Sequence, residues 1–294
     1  MKPAPGATPR IERAAAETNA IRVESALVEI PVHVTNVFGA NVDGLTKSDF
    51  RLFEDGVLQS ITHFSMDDVP ASIGLIYDCS GSMRDKMRQA AAAAESFFRT
   101  SNPEDEFFLV EFGDFPKLAS PFTHDAGDIL ARILHTRPFG RTALLDALNM
   151  SMKEMKKASN RRKALVILSD GGDNQSRRNR RQIESALVES DVQLYAMGLY
   201  SSSSPRKKLP SEERNGPQLL EELCQRTGGR MYRASNADDL PAISERISKE
   251  LRTEYILGYS PNALADDGKY HRVTVKVNSA DSRVYSRTGY YSPR

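Results

Sequence analysis

The stretch GLIYDCSGSM, residues 74–83, ends an apolar run in an acid and then sets two serines at alternate positions. Alternation aims Asp78, Ser80 and Ser82 at one point. Three chemistries use such a trio: a turn and helix cap, a serine nucleophile, or an oxygen site for a cation. The nucleophile fares worst. Neither serine sits in a G-x-S-x-G elbow, and the five histidines (His33, His63, His124, His135 and His271) lie away from this turn in sequence. A phosphate-cradling G-x-x-x-x-G-K-[ST] loop is also missing from the sequence.

Two other segments add oxygen. GRTALLDAL opens a helix with Thr142, and LSDGGDN follows an apolar run with Asp170. Two carboxylates and three hydroxyls suit a hard cation, Mg²⁺ above all, with Mn²⁺ or Ca²⁺ as substitutes. With only two acids such an ion stays electrophilic, and an incoming carboxylate can take a vacant position. The plain alternatives stand beside this. Asp78, Ser80 and Ser82 could cap a helix, Asp146 could serve the first helical turn, Asp173 and Asn174 could shape their loop, and Cys79 could be packing.

The elements that position these residues follow from periodicity. Apolar strands (ASIGLIYD, DEFFLVEFG, KALVILSD, VQLYAMGLY, RMYRA) alternate with amphipathic helices from residue 71 to about 252. That rhythm predicts an α/β fold, a doubly wound, mostly parallel sheet covered on both faces. Ligands of such sheets bind at the carboxyl ends of the strands, where all three segments fall. Residues 22–70 and 253–294 read instead as strands. VEIPVHVTN alternates with period two, and Asp55-Gly56 and Asp267-Gly268 mark turns. Pro31 marks an edge strand, because proline donates no ladder hydrogen bond. Each flank has few strands for a core of its own. Both are therefore expected to pair into one β-sandwich that carries the α/β domain as an insertion. Residues 1–21 read as a disordered leader.

Asp78-x-Ser80-x-Ser82, then Thr142, then Asp170-Gly171, resemble the metal-ion-dependent adhesion site of von Willebrand factor A domains, over about residues 71–250. The flanking stretches GLTKSDFRLFEDG and YILGYSP…DGKYHRVTVKV resemble bacterial, notably acidobacterial, proteins related to that family. The resemblance implies that Ser80, Ser82 and Thr142 ligate the metal directly or through water. It gives Asp78 and Asp170 direct places or places behind those ligands. It also implies a non-enzymatic adhesion module that captures an acidic group of a protein or matrix partner. Two departures matter. Arg141 stands where many relatives carry glycine, so it crowds or charges the rim. Asp85 matches the first acid of a pair that builds an adjacent second metal site in integrin β chains, but Lys86 replaces the other, so Asp85 is assigned to helix N-terminal charge.

The bulk composition excludes other classes. The 294 residues carry a net charge of +1, with 39% hydrophobic and 27% charged side chains, a globular balance with no global argument for nucleic acid. No run approaches the roughly 18 apolar residues of a membrane span. Two cysteines, Cys79 and Cys224, make neither a disulfide framework nor a zinc set. Basic residues cluster in SRRNRRQ (Arg177, Arg178, Arg180, Arg181) and SSSSPRKKLP (Arg206, Lys207, Lys208). Both follow strand ends, so Arg141, Arg178 and Arg206 are expected on an electropositive rim that steers an acidic partner. The rival readings are a metal-dependent hydrolase and a scaffold whose metal is structural or missing. Export without its signal segment is expected, with a cytoplasmic location as the alternative; partner and oligomeric state stay open.

Overall fold

The computed structural model describes residues 27–66, 68–200, 211–234, 236–261, 268–279 and 281–292. The expected leader, Asp267 of the second turn, and Arg206, Lys207 and Lys208 lie outside them.

Four strands open the described chain: β1 (Val28–Asn36), β2 (Phe50–Glu54), β3 (Val57–Gln59) and β4 (Ile61–Ser65). The α/β unit follows with β5 (Ala71–Asp78), α1 (Met87–Thr100), β6 (Glu106–Phe112), β7 (Pro116–Thr123), α2 (Ala126–His135) and α3 (Leu144–Met155). It continues through β8 (Arg162–Ser169), α4 (Arg180–Glu189), β9 (Gln193–Leu199), α5 (Ser211–Arg226), β10 (Met231–Ala234) and α6 (Leu240–Arg252). Four more strands end it: β11 (Tyr255–Tyr259), β12 (Tyr270–Val277), β13 (Ser282–Ser286) and β14 (Gly289–Tyr291).

The unit's sheet has six strands in the order β10-β9-β8-β5-β6-β7, parallel except for β7. Strand β5 shows why it is buried on both faces. Ile73, Leu75 and Tyr77 join a core with α1, α2 and α6, while Ile76 joins a core with α3, α4 and α5. Gly74 completes the alternation, and there a Cβ would lie 2.2 Å from Phe108 Cζ and 2.6 Å from Leu165 Cδ2. The sheet is therefore packed to contact on the α3 side by the absence of a methyl group.

Two features depart from the sequence reading. PKLASPFT forms edge strand β7, which the sequence did not suggest; its two prolines and weak alternation hide it, and the hairpin with β6 supplies the pairing. Helix α5 begins at Ser211 and runs through Pro217, a residue type that in sequence favours a helix start.

The flanks pair with one another in two antiparallel four-stranded sheets, ordered β13-β1-β11-β4 and β14-β12-β2-β3. Side chains of both sheets, including Ile30, Val32, Leu52, Tyr255, Leu257 and Val275, form one apolar cluster. Asp55 (φ 48°) and Gly56 (φ 84°) join β2 to β3, the left-handed pair of a type I′ turn, as Asp-Gly predicts. The edge assignment from Pro31 is wrong, because β1 lies between β11 and β13. The proline is tolerated because pairing with β13 starts only at Val32. A buried polar cluster lies where this sheet meets the α/β unit. His33 of β1 lies 3.5 Å from Glu250 of α6, which also takes Arg230 at 2.7 Å and the Tyr232 hydroxyl. Burial, then the charge of Arg230, pushes His33 down to about 3, so this contact holds a neutral imidazole.

Candidate functional site

Strands β5 and β8 end side by side, with Tyr77 in register with Leu168. Their last residues and the loops beyond them build the site. Asp78 is fully buried. Its Oδ1 accepts the Ser80 amide at 2.9 Å and its Oδ2 accepts the Ser169 hydroxyl. The same Ser169 oxygen accepts the Gly171 amide at 2.9 Å, so one hydroxyl locks the two strand ends together. Burial, and then the charge of Asp170, raises the Asp78 carboxyl well above the ordinary carboxylate range.

The chain then turns into a 3₁₀ segment, Gly81–Lys86, ahead of α1. Ser80 is at the cap position but makes no side-chain cap hydrogen bond. Its Oγ instead stands 3.1 Å from Ser82 Oγ. The helix-cap alternative for Ser80 is thereby set aside. Thr142 is buried just before α3. Its loop is tied to the serine turn by the Gly81 amide on Gly140 O at 3.0 Å. The loop after β8 holds it from the other side, through Thr142 N on Asn174 Oδ1 at 2.9 Å and Asn174 N on Thr142 O at 3.0 Å. Asp173 and Asn174 do shape their loop. Asp173 takes Ser176 Oγ at 2.6 Å, and Asp146 accepts the amides of Arg177 and Arg178 at 2.9 and 3.0 Å.

Asp170 has the most informative surroundings. Its Oδ2 accepts Lys86 Nζ at 2.6 Å, with only 15% of that lysine side chain exposed, while its Oδ1 is buried without a hydrogen-bond partner. Gly171 follows with φ 83°, and a Cβ there would lie 2.6 Å from the carbonyl oxygen of Gly216 in α5. Only glycine meets both the left-handed backbone and that approach. Sequence reasoning missed Lys86 and Ser169. Lys86 was visible as the residue replacing an acid, but its pairing with a residue 84 positions away was not.

Residues 73–172 match the family profile of the von Willebrand factor type A domain. The chain carries a von Willebrand factor type A domain. Among solved structures, a von Willebrand factor type A protein from Catenulispora acidiphila is 12% identical, with a TM-score of 0.54, and the match covers 92% of this chain and 74% of that one. The von Willebrand factor domain of the type V pili tip protein Mfa5 from Porphyromonas gingivalis is 13% identical, with a TM-score of 0.51 and coverage of 62% and 95%. The pilus adhesin SpaC from Lactobacillus rhamnosus GG is 8% identical, with a TM-score of 0.52 and coverage of 83% and 48%. These likenesses establish the fold. No curated protein matches the chain.

On the rim of the A domain, Arg141 and Arg178 are exposed, and Arg141 Nη1 leans onto Gln175 Oε1 at 3.2 Å. Arg180 is neutralised by Glu184 and Glu222, and Asp114 accepts the Arg141 amide. Among the described residues, charge on the rim is therefore mixed. Cys79 packs inward with its thiol on Phe112 O at 3.0 Å, and burial pushes it up to about 12. His124 bonds Asp105 O ahead of β6, at the opposite end of the sheet, and His135 bonds Ala131 O within α2. No helix among the described residues is long and apolar enough to cross a membrane.

Proposed function

We propose that the A domain is a binding and adhesion module. It holds Mg²⁺ with oxygens drawn from Asp78, Ser80, Ser82, Thr142 and Asp170 and captures a carboxylate of a protein or matrix partner. The observation that carries this is the buried, unpartnered Oδ1 of Asp170, beside a second buried carboxylate and a pair of hydroxyls. A buried carboxylate oxygen without a donor is costly unless a cation takes it. The spacing of Ser80 and Ser82 fits as well: ligands about 2.1 Å from an octahedral ion stand about 3.0 Å apart. Lys86 adds one positive charge next to Asp170, which leaves the ion still more electrophilic. When bound, the ion supplies an acceptor for the partner's carboxylate. The chain's own part is to fix the oxygens through Ser169, Asn174 and the Gly81–Gly140 contact.

Phe115 and Phe139, 64% and 48% exposed in loops beside Gly113 and Gly140, offer apolar contact around such a capture point, with Arg141 and Arg178 to steer acids. The match to a pilus tip protein and a pilus adhesin supports an extracytoplasmic, non-enzymatic role. A hydrolase on the same ion needs a base beside it, and among the described residues no histidine hydrogen-bonds any of the five side chains.

The test is calorimetric Mg²⁺ titration of the parent and of Asp78→Ala, with folding checked by circular dichroism. Partner capture from the native organism, in Mg²⁺ or in EDTA, follows. Mg²⁺ binding and capture lost together in folded Asp78→Ala support the reading. Capture indifferent to both EDTA and the substitution overturns it in favour of a scaffold. Turnover of phosphoesters that survives purification overturns it in favour of a hydrolase.

A further inference from the structure

Outside the A domain, three ligating side chains converge where the β2–β3 turn meets β12. Glu54 closes β2, Asp55 begins the turn, and His271 is the second residue of β12. One ligand atom from each lies within 4.8 Å of the other two. His271 Nδ1 is 2.9 Å from Asp55 Oδ2 and 3.9 Å from Glu54 Oε1.

Each carboxylate is held by its other oxygen. Asp55 Oδ1 accepts the Arg272 amide at 2.9 Å, and Glu54 Oε2 accepts the hydroxyls of Tyr259 and Tyr290, the latter at 2.9 Å. One oxygen of each carboxylate is thus fixed, and the other is the one nearer the imidazole. Glu54 is only 7% exposed, yet Oε1 stands 3.9 Å from Nδ1, too far for a hydrogen bond.

We propose that Glu54, Asp55 and His271 bind a divalent transition metal of the Zn²⁺ class, a site separate from the A domain's oxygen cluster and independent of its function. Tetrahedral ligands about 2.0–2.2 Å from zinc stand about 3.3–3.5 Å apart. The observed 2.9 and 3.9 Å bracket that spacing, so small side-chain shifts bring all three into range. An imidazole nitrogen with two carboxylates favours Zn²⁺ over Mg²⁺ or Ca²⁺, which take oxygen alone. The phenol hydroxyls and the Arg272 amide are the outer partners that fix ligating carboxylates in metal sites. Three protein ligands leave a fourth position to water. The metal ties the β2–β3 hairpin of the first flank to β12 of the second.

The experiment uses the full chain, stripped of metal, in an Asp78→Ala background so that the other site contributes nothing. Zn²⁺ is titrated by calorimetry, and Co²⁺ is followed by its visible absorption. Asp55→Asn and His271→Gln are compared with that parent. Asparagine keeps the left-handed turn and still accepts the Arg272 amide, so Asp55→Asn remains informative if His271→Gln does not fold. The parent is expected to bind one Zn²⁺ per chain, to gain thermal stability from it, and to be unaffected by excess Mg²⁺. Both variants should bind at least tenfold more weakly and lose the Zn²⁺-induced rise in melting temperature. A parent that binds no Zn²⁺, or folded variants that bind it as tightly as the parent, would overturn the proposal.

Discussion

Replacing Lys86 by methionine tests how the A domain's charge is balanced. The substitution keeps the length of the side chain and removes the ammonium that lies 2.6 Å from Asp170 Oδ2. Asp170 is 7% exposed and Lys86 15%, so the pair is largely out of water. Removing one partner of a buried pair costs about 3–5 kcal/mol, and the residual hydration of Lys86 places this one near about 3 kcal/mol. That loss belongs to the metal-free chain, where nothing else neutralises Asp170. If the proposed Mg²⁺ site is occupied, the same carboxylate keeps a cation, so the loss there should be about half as large. By the thermodynamic cycle the difference, about 1.5 kcal/mol, appears as Mg²⁺ affinity, close to tenfold tighter binding. Urea melts of parent and variant, with Mg²⁺ and with EDTA, measure the first quantity, and calorimetry measures the second. The variant should be clearly less stable in EDTA, partly rescued by Mg²⁺, and tighter for the ion. Equal stability in EDTA, or Mg²⁺ binding no tighter than that of the parent, would refute the reasoning and remove Asp170 from the proposed ligand set.

Four further outcomes are expected. Gly74→Ala puts a methyl group 2.2 Å from Phe108, an overpacking cost of about 1–3 kcal/mol that a thermal melt will register as a lower midpoint. Gly171→Ala meets a left-handed backbone and a carbonyl at 2.6 Å, costing about 1–2 kcal/mol in conformation alone. It should weaken Mg²⁺ binding in a chain that remains folded by circular dichroism. Burial raises Glu254 to about 7 from its ordinary 4.5. The folded state therefore binds a proton that the unfolded state has lost, and Glu254 costs stability increasingly as pH rises through that window. The stability of the parent relative to Glu254→Gln should decline between about pH 4.5 and 7, and a difference that stays flat or grows in urea melts contradicts the assignment. Charge reversal at Arg141 and Arg178 should slow association with an acidic partner at low salt and have little effect at high salt, as read from on-rates in surface plasmon resonance.

The sheet and the site loops were legible because each depends on local pattern. Continuous apolar strands read directly as buried parallel strands, and the oxygen residues stand where such strands end. The Asp55-Gly56 turn was legible for the same reason, since its left-handed backbone is demanded by two adjacent residues. What stayed hidden depends on distant partners. Strand β7 is made by pairing with β6, against two prolines in its own sequence. Pro31 reads as an edge marker until β13 is seen to begin its pairing one residue later. The ion pair of Lys86 with Asp170, and the approach of His33 to Glu250, join residues with no sequence relation. Gly216, six residues into α5, looks like a helix defect until Gly171 is found against it. Charge counts along the chain also leave out Glu184, Glu222 and Asp114, which the fold brings beside the rim arginines.

The way the α/β unit joins the flank sheets has a mechanical consequence. The chain enters the unit at the amino end of β5 and leaves it after α6. The carboxyl end of that helix is tied to Arg162 at the start of β8 and to Thr100 ahead of β6. Both connections are therefore at one pole, and Asp78, Ser80 and Asp170 are at the other. Under the proposed function, tension between a captured partner and the flanks runs along the strands, across the evenly spaced, slanted hydrogen bonds of a parallel ladder. Such a sheet resists by shear, with many bonds strained together rather than opened in turn. The capture point can then be loaded while the strands that hold it remain among the last parts of the molecule to give way.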